Sequence, residues 1–226
     1  HNFIGFAKGF DQTYTPFLDL QKAEAQTMEA AIQLALERVR ARTMAMQQSG
    51  ELNEVSTILF NQLRSLGGSL WTTAIVLCNE NSNEDEFRTA FAGGLQPSVF
   101  VPNNQDAVHI KMYEGWKNGS ELLSISKEGN ELKAHYDYMM TVPSIKDNFE
   151  KMLASGITFP AWQKWHAAYF TFGYLMIITT EPYHDEQIFG RFAKVFDQSY
   201  TRFLDLQKAE AQARAAQIQL AMARMS

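Results

Sequence analysis

The first part of the chain carries apolar residues at regular helical spacing. They recur at steps of three, four and seven as Phe3, Phe6, Phe10, Phe17 and Leu20. The pattern then resumes as Met28, Ile32, Ala35, Val39 and Met46. Such steps place the side chains on one face of a helix with a period near 3.5 residues. The sequence therefore predicts one long helix over residues 3–47, with Pro16 kinking it or marking a new first turn.

The heptad pattern of this helix slips between Phe17 and Met28. The two residues are 11 positions apart, and the residues between them are mostly Ala, Glu, Gln and Lys. These residue types favour helix, so we expect the helix to continue through the slip. An 11-residue step is typical of a stutter, which locally unwinds a coiled coil.

The rest of the chain alternates between apolar runs and polar or glycine-containing turns. Helical spacing predicts helices over residues 51–66, 129–140 and 144–154. Strand-like runs are predicted at residues 71–78, 87–92 and 108–113, and a hairpin at residues 165–171 and 174–180. The predicted fold class is α+β: a central, mainly antiparallel sheet flanked by helices, with long N- and C-terminal coiled-coil helices.

A segment of the first helix occurs again near the other end of the chain. Residues 17–26 recur unchanged as residues 203–212, and 22 of the 29 positions of residues 6–34 are identical in residues 192–220. The copies are too far apart for a solenoid repeat of about 20–50 residues. We therefore expect a fragment of a larger array, with linker helices at residues 1–48 and 189–226 and one domain at residues 49–188.

The net charge, the cysteine count and the length of the apolar runs limit the classes of partner and the cellular location that we expect. A net charge of −5 and a pI near 5.6 argue against nucleic acid or an anionic membrane as the main partner. The single cysteine, Cys78, excludes an internal disulfide and favours a reducing compartment, so we expect a cytoplasmic location. No stretch of 18 apolar residues is present, and direct membrane insertion is not expected.

Residues 35–46 with the helix that follows them, and residues 191–200 with the repeated segment, resemble the linkers between tandem GAF-type domains of bacterial sensor histidine kinases. The resemblance implies a GAF-like sensor domain in a two-component signal-transduction protein. It further implies about six antiparallel strands, with helices on one side of the sheet and a small-molecule pocket on the other. A parallel homodimer through the end helices, and an output module elsewhere in the same protein, are also implied.

The chain offers few catalytic signatures. None of its five histidines lies in a histidine-kinase phosphoacceptor box, and the ATP-binding boxes and a Gly-x-Ser-x-Gly turn are absent. In the sequence, His135 and His166 have no ligand-spaced partner, so we predict no metal site. The cyclic-nucleotide pattern of GAF domains is missing, and Cys78 lacks the setting of a chromophore-attaching cysteine. We therefore expect a non-catalytic chain without a cofactor.

Aromatic residues of the central region are the candidates for a small-molecule pocket. They are Tyr113, Trp116, Tyr136 and Tyr138, with Trp162 and Trp165 as further aromatics in the same region. A pocket for an unidentified small molecule needs apolar walls with a few polar groups. Ordinary core packing is the alternative explanation for the same residues.

The leading functional hypothesis is a regulatory sensor module that relays a conformational change through its helices. Its partners would be a second copy of the chain and neighbouring domains of the same chain. The expected dimer interface is formed by Phe6, Phe10, Phe17, Leu20, Phe192, Phe196, Phe203 and Leu206. A structural dimerisation or spacer domain without ligand uses the same helices and remains the alternative, while an enzyme has no motif in its favour.

Overall fold

The computed structural model describes residues 3–91, 94–95 and 97–223, and the side chains of residues 3–15 and 94–95 lie outside this description. Its helices are α1 (Phe3–Met44), α2 (Leu52–Ser65), α3 (Ala107–Lys117), α4 (Gly129–Met139), α5 (Pro143–Ala154) and α6 (Gln187–Ala223). A short 3-10 turn, Ser49–Glu51, precedes α2. The strands are β1 (Leu70–Leu77), β2 (Glu84–Phe91), β3 (Gly94–Leu95), β4 (Val99–Pro102), β5 (Leu122–Glu128), β6 (Trp162–Phe170) and β7 (Gly173–Thr179).

The strands form one antiparallel sheet in the order β3-β2-β1-β7-β6-β5, with β4 also pairing with β2. The central strands β1 and β7 are covered on both faces, and their middle residues are buried. The predicted hairpin of β6 and β7 is confirmed, with its turn at Thr171 and Phe172. The α+β class with an antiparallel sheet flanked by helices is likewise confirmed.

Two hydrophobic cores lie on opposite faces of this sheet. On one face, α1, α2 and α6 pack against strand residues such as Ile75 and Ile177. On the other face, α3, α4 and α5 pack against Val76 and Trp165. Because side chains alternate along a strand, neighbouring residues of β1, β6 and β7 belong to different cores. The sheet therefore separates a three-helix layer that includes the long helices from a layer of three shorter helices.

The turn between α1 and α2 is closed by charged side chains. Arg42 Nη2 donates to the carboxylates of Glu51 and Glu54 at 2.6 Å each. Glu51 Oε1 also accepts from the backbone N–H groups of Gln47 and Gln48. The Arg42 guanidinium, followed by these two backbone donors, lowers the pKa of Glu51 to about 2. This arrangement fixes the angle at which α2 leaves α1.

The two long helices lie side by side in one chain and run in the same direction. Arg191 donates two hydrogen bonds to the carboxylate of Glu29, at 2.6 and 2.9 Å. Further along, Gln207 Nε2 of α6 donates to the backbone carbonyl of Gln47, just after the end of α1, at 2.6 Å. Since the paired residue numbers rise together, the second half of α1 packs parallel to the first half of α6.

The predicted strip of aromatic residues on α6 is not exposed. Phe192, Phe196 and Phe203 are buried in the core between the sheet and the layer of α1, α2 and α6, so a single chain does not expose them for a dimer interface. They pack inward because the first half of α6 lies across the sheet rather than projecting from it. Residues of both predicted linkers thus belong to this core, while the boundaries at residues 48 and 189 stay predictions.

The other members of the predicted interface have a different environment. Phe17, Leu20 and Leu206 are each about half exposed, at 53%, 58% and 48%. Phe6 and Phe10 lie in helix α1, but their side chains are outside the described residues. Among the described side chains of the predicted set, the exposed ones therefore lie on the distal parts of the long helices.

The predicted strand at residues 108–113 is wrong, because this segment lies in helix α3. Val108 and Met112 are buried one helical turn apart, and the same two residues also fit a strand-like alternation. Asp106 decides the outcome: its Oδ2 accepts from the backbone N–H groups of Val108 and His109, as an N-cap does. The strands β3, β4 and β5 were not predicted. In the described part of the chain, no helix has the length and apolar character needed to cross a bilayer.

Candidate functional site

A cavity of about 550 Å³ lies between the sheet and the layer of shorter helices. The sheet contributes mainly apolar side chains to its wall, among them Trp71, Phe87, Val101, Trp165 and Met176. Helices α3, α4 and α5 contribute His109, His135, Tyr136, Met139, Phe149 and Met152. A space of this size with apolar walls and a few polar groups is typical of small-molecule sites.

The position of the cavity follows from how α5 sits on the sheet. Ile145 is the buried residue of α5, while Asn148, Phe149 and Met152 face the cavity and are only half-buried. Helix α5 therefore roofs the space without filling it. On the opposite wall the pairing register of β1 and β7 shifts between Leu70 and Thr72, next to Trp71.

An aromatic cluster forms one end of the cavity. The rings of Tyr136 and Phe159 stack with centroids 3.8 Å apart, and Phe149 meets Phe159 edge-on at 5.2 Å. Tyr136 Oη donates to Gln163 Oε1 at 2.6 Å, and Gln163 is fully buried. Burial raises the pKa of Tyr136 above its usual range, so its hydroxyl remains a neutral hydrogen-bond donor.

The structure places one of the four predicted pocket residues at this cavity. Tyr136 lines it, whereas Tyr138 lines a shallower pocket near Phe100 and Ser144. Tyr113 and Trp116 contact each other along α3 with tilted rings, and Trp116 Nε1 donates to the carbonyl of Thr171. The further aromatic residue Trp165 also lines the large cavity.

Three polar side chains meet at the helix side of the cavity. Asp106 Oδ2 lies 3.1 Å from His135 Nδ1 and 3.2 Å from His109 Nδ1. The contact with His135 is a hydrogen bond, whereas His109 Nδ1, although buried, has no hydrogen-bond partner in the described part of the chain. We call these three residues the Asp106 cluster. All three are at most 9% exposed, and His109 and His135 line the cavity.

Neighbouring aromatic rings hold the two imidazoles in place. Phe87 meets His109 edge-on with centroids 5.7 Å apart, and Trp165 meets His135 edge-on at 4.9 Å. The two imidazoles themselves stack at 5.7 Å. Because Asp106 is also fixed as the N-cap of α3, each member of the cluster is positioned by residues around it.

Charge and burial act in opposite directions in this cluster. Burial alone raises the pKa of Asp106, but the imidazoles of His109 and His135 outweigh burial and hold that pKa well below its usual range. Burial lowers the pKa of His109. At neutral pH the cluster therefore holds an ionised carboxylate beside a neutral His109 imidazole.

The sequence contained only part of the signal for this cluster. Asp106 and His109 are three positions apart at the start of a helix, which places both side chains near one helix end. His135 lies on α4 and approaches them through the fold. The expectation that His135 has no carboxylate partner is therefore wrong. It considered only residues near His135 in the sequence, whereas the fold brings Asp106 to it.

A second polar network lies on the opposite face of the sheet. Ser124 Oγ donates to Glu186 Oε2 and lies 2.9 Å from His166 Nδ1, while Lys164 Nζ contacts Glu186 Oε1 at 2.5 Å. Since the Ser124 proton is directed at Glu186, His166 Nδ1 donates to Ser124 and is not a base for it. The arrangement thus differs from a Ser-His-acid triad.

Cys78 has the environment of a structural cysteine. Burial, followed by the charge of Asp85, raises the pKa of the Cys78 thiol above its usual range. Asp85 is itself buried, and burial raises its pKa although Asn103 donates a hydrogen bond to it at 3.0 Å. A thiol with a raised pKa is a weak nucleophile at neutral pH.

Comparison with protein-family models and with curated proteins finds no match for this chain. Similarity therefore assigns no family, and the functional argument depends on the geometry of the chain itself.

Proposed function

We propose that this chain is a non-catalytic sensor module of a signal-transduction protein, GAF-like in type and part of a sensor histidine kinase. A small molecule binds the cavity on one face of the sheet, and the long helices on the other face carry the resulting change. The observation that supports this proposal most directly is the cavity of about 550 Å³ opposite the layer of α1, α2 and α6.

The walls of the cavity indicate the class of ligand. Most of the lining residues are apolar or aromatic, and the polar groups are concentrated at the Asp106 cluster and at the rim near Lys151 and Asn148. A ligand that fits these walls has an apolar or aromatic body and one polar end. The Asp106 cluster would hold that polar end.

Adjacent residues of β6 connect the cavity to the long helices. Trp165 faces the cavity and contacts His135, while His166 points to the other face and contacts the Phe189 ring of α6 at 4.8 Å. Lys164 contacts Glu186, the residue immediately before α6. A shift of β6 on ligand binding would therefore displace the start of α6, since packed elements move as units.

The repeated segment supports a relay that continues from one unit to the next. Ile32 of α1 is buried at 7% exposure, whereas Ile218, at the equivalent position of the second copy, is 61% exposed. In an array, the distal half of α6 would serve as α1 of the following unit and bury Ile218 as Ile32 is buried here. The stutter at residues 21–26 and 207–212 would give this helix two packings close in energy.

Self-association would use the exposed part of the same helices. Phe17, Leu20 and Leu206 present apolar surface outside the core. A parallel homodimer would cover this apolar surface. Its residues on α1 and on α6 belong to helices that run in the same direction within the chain.

The cavity part of the proposal is tested with the dye 1-anilinonaphthalene-8-sulfonate as an apolar, anionic probe. Asn148 lines the cavity from α5, and its neighbour Asp147 is exposed outside it. We expect Asn148→Trp to fill the cavity and abolish dye fluorescence, while Asp147→Trp retains it. Equal fluorescence in both variants would place the dye elsewhere and contradict a ligand-binding cavity.

The relay is tested by hydrogen exchange of the same complexes. We expect dye binding to change amide exchange in the cavity strands and also in α6 near Phe189 and Phe192. Changes confined to the cavity would leave the helices as a spacer. The alternative function is a structural spacer without ligand. The two hydrogen bonds from Arg191 to Glu29 favour it, because they fix the two long helices to each other.

A further inference from the structure

Two nitrogen atoms and one oxygen atom converge at the base of the cavity. One imidazole nitrogen each of His109 and His135 and a carboxylate oxygen of Asp106 all lie within 4.8 Å of one another. We propose that Asp106, His109 and His135 form a binding site for one divalent first-row transition-metal ion. The site stands on the geometry of these three side chains and does not depend on the relay.

The separations of the candidate ligand atoms match a common coordination geometry. Atoms bound to one ion at about 2.1 Å, with angles of about 90–109° between them, lie about 3.0–3.4 Å apart. Asp106 Oδ2 is 3.2 Å from His109 Nδ1 and 3.1 Å from His135 Nδ1. Small rotations of the two imidazoles would direct both Nδ1 lone pairs at a shared ion.

The chemistry of the three ligands selects the class of ion. Two imidazoles and one carboxylate suit Zn²⁺ and Fe²⁺, whereas Ca²⁺ and Mg²⁺ prefer oxygen ligands alone. Three protein ligands leave further coordination positions, and His109 and His135 both line the cavity. The remaining positions would therefore face the space in which we propose that a ligand binds.

The surroundings of the site are those of a prepared ligand set. Among the described residues, His109 Nδ1 is buried without a hydrogen-bond partner, since its 3.2 Å contact with Asp106 Oδ2 is not a hydrogen bond. A buried polar atom in this state is unfavourable unless a ligand or ion satisfies it. The backbone N–H groups of Val108 and His109 orient the Asp106 carboxylate from behind. Such supporting contacts are typical of metal sites, where they hold the ligands in position.

A bound ion would add a specific anchor to an otherwise apolar cavity. It would accept a nitrogen, oxygen or carboxylate donor from a small molecule, and the aromatic walls would contact the rest of that molecule. This second step rests on the proposed ligand-binding function, whereas the binding of the ion itself does not.

The site is tested by calorimetric titration of the 226-residue chain with Zn²⁺ and, separately, with Co²⁺. We expect one ion per chain, and we expect His135→Gln to weaken binding by at least about 100-fold, more than the loss of a supporting contact. The matched control is His166→Gln, which changes a buried histidine on the opposite face of the sheet. Circular dichroism of both variants establishes that they are folded.

Nitrogen NMR of histidine side chains in the unmutated protein gives a test that needs no variant. We expect Zn²⁺ to shift the Nδ1 resonances of His109 and His135 and to leave those of His166 and His184 unchanged. Binding that shifts other histidines, or that is equally strong in His135→Gln, would overturn the proposal. If His135→Gln loses Zn²⁺ binding but still binds the dye, the metal site is supported independently of the proposed sensor function.

Discussion

Phe17 and Phe203 occupy the same position in two identical ten-residue segments, yet Phe17 is 53% exposed and Phe203 only 3%. Phe203 stacks near Tyr200 within the core that lies under α6. Phe17 lies on the part of α1 that extends beyond this core. The position of each copy along the fold, rather than its local sequence, therefore decides whether this phenylalanine stabilises the chain.

We expect Phe203→Glu to destabilise the chain by at least about 3 kcal/mol, because it buries a charge without a partner and removes a large core side chain. The matched variant Phe17→Glu changes the same residue in the same local sequence and should alter the free energy of unfolding by less than about 1 kcal/mol. Denaturant unfolding followed by circular dichroism compares the two. Similar losses in both variants would mean that α1 near Phe17 is also packed.

Local patterns were sufficient to predict most of the elements. The apolar face of α2, the continuous run of β1 and the hairpin of β6 and β7 each have one strong periodicity. The strand prediction for residues 108–113 was wrong because their spacing fits both a helix and a strand. The N-cap formed by Asp106 is what distinguishes the two. The long stripe of α6 was identified correctly as apolar, but periodicity does not say which surface covers a stripe.

The candidate site was less accessible to sequence reasoning. Tyr136 was selected because it is aromatic, and the same criterion selected Tyr113 and Trp116, which pack elsewhere. The Asp106 cluster joins α3 to α4, and its members are brought together by the packing of both helices on the sheet. Such contacts depend on tertiary structure, so a single sequence contains no spacing that indicates them.

Leu206→Glu should weaken self-association without unfolding the chain, because Leu206 is 48% exposed and lies just beyond the buried part of α6. Sedimentation equilibrium at tens of micromolar measures the dimer fraction. Gln212→Glu, an exposed polar position on the same helix, is the charge control and should leave that fraction unchanged. A monomeric unmutated chain would contradict the proposed homodimer.

Gly173→Ala should be strongly destabilising, by about 2 kcal/mol or more, because an added Cβ would overlap the backbone carbonyl of Val76. Gly173 begins β7 directly after the hairpin turn, where β1 approaches closely. Gly50→Ala is the control, since its Cβ would meet no atom of the described residues within 4 Å. Thermal unfolding of the two variants should differ clearly, and equal midpoints would argue against the close packing of β1 and β7.

The network around His166 predicts a pH dependence of stability. Burial, opposed by Glu186 and aided by Lys164, lowers the pKa of His166 from 6.5 to about 4. An unfolded chain therefore binds a proton at this residue below about pH 6.5 that the folded chain does not bind until about pH 4. Stability from His166 should fall as the pH falls through this window, by about 1 kcal/mol per pH unit.

Denaturant unfolding at pH 7, 6 and 5 measures this dependence. We expect His166→Gln to reduce the slope of the unfolding free energy against pH. The reduction should correspond to the uptake of up to one proton fewer on unfolding than in the unmutated chain. His184→Gln removes an exposed histidine and should have no such effect. An unchanged slope in His166→Gln would mean that His166 is not buried in its neutral form.

The stutter is the feature through which we expect the helix to relay a change. Residues 21–26 and 207–212 are helical and exposed in both copies, so a change there alters the relation of flanking segments without touching the core. Deleting residues 23–26 shortens the step from Phe17 to Met28 to about one heptad. It also rotates the apolar face that precedes the deletion by about 40° about the helix axis, relative to the second half of α1, which packs on α6.

We expect this four-residue deletion to lock the helix in one packing, because a continuous heptad removes the alternative. In a protein where the helix joins this unit to an output domain, output activity should then no longer respond to the stimulus, whether fixed high or fixed low. A seven-residue deletion turns the face by only about 20° and should be tolerated better. An intact response after the four-residue deletion would make the helix a passive spacer, since a relay through two packings cannot survive the loss of one of them.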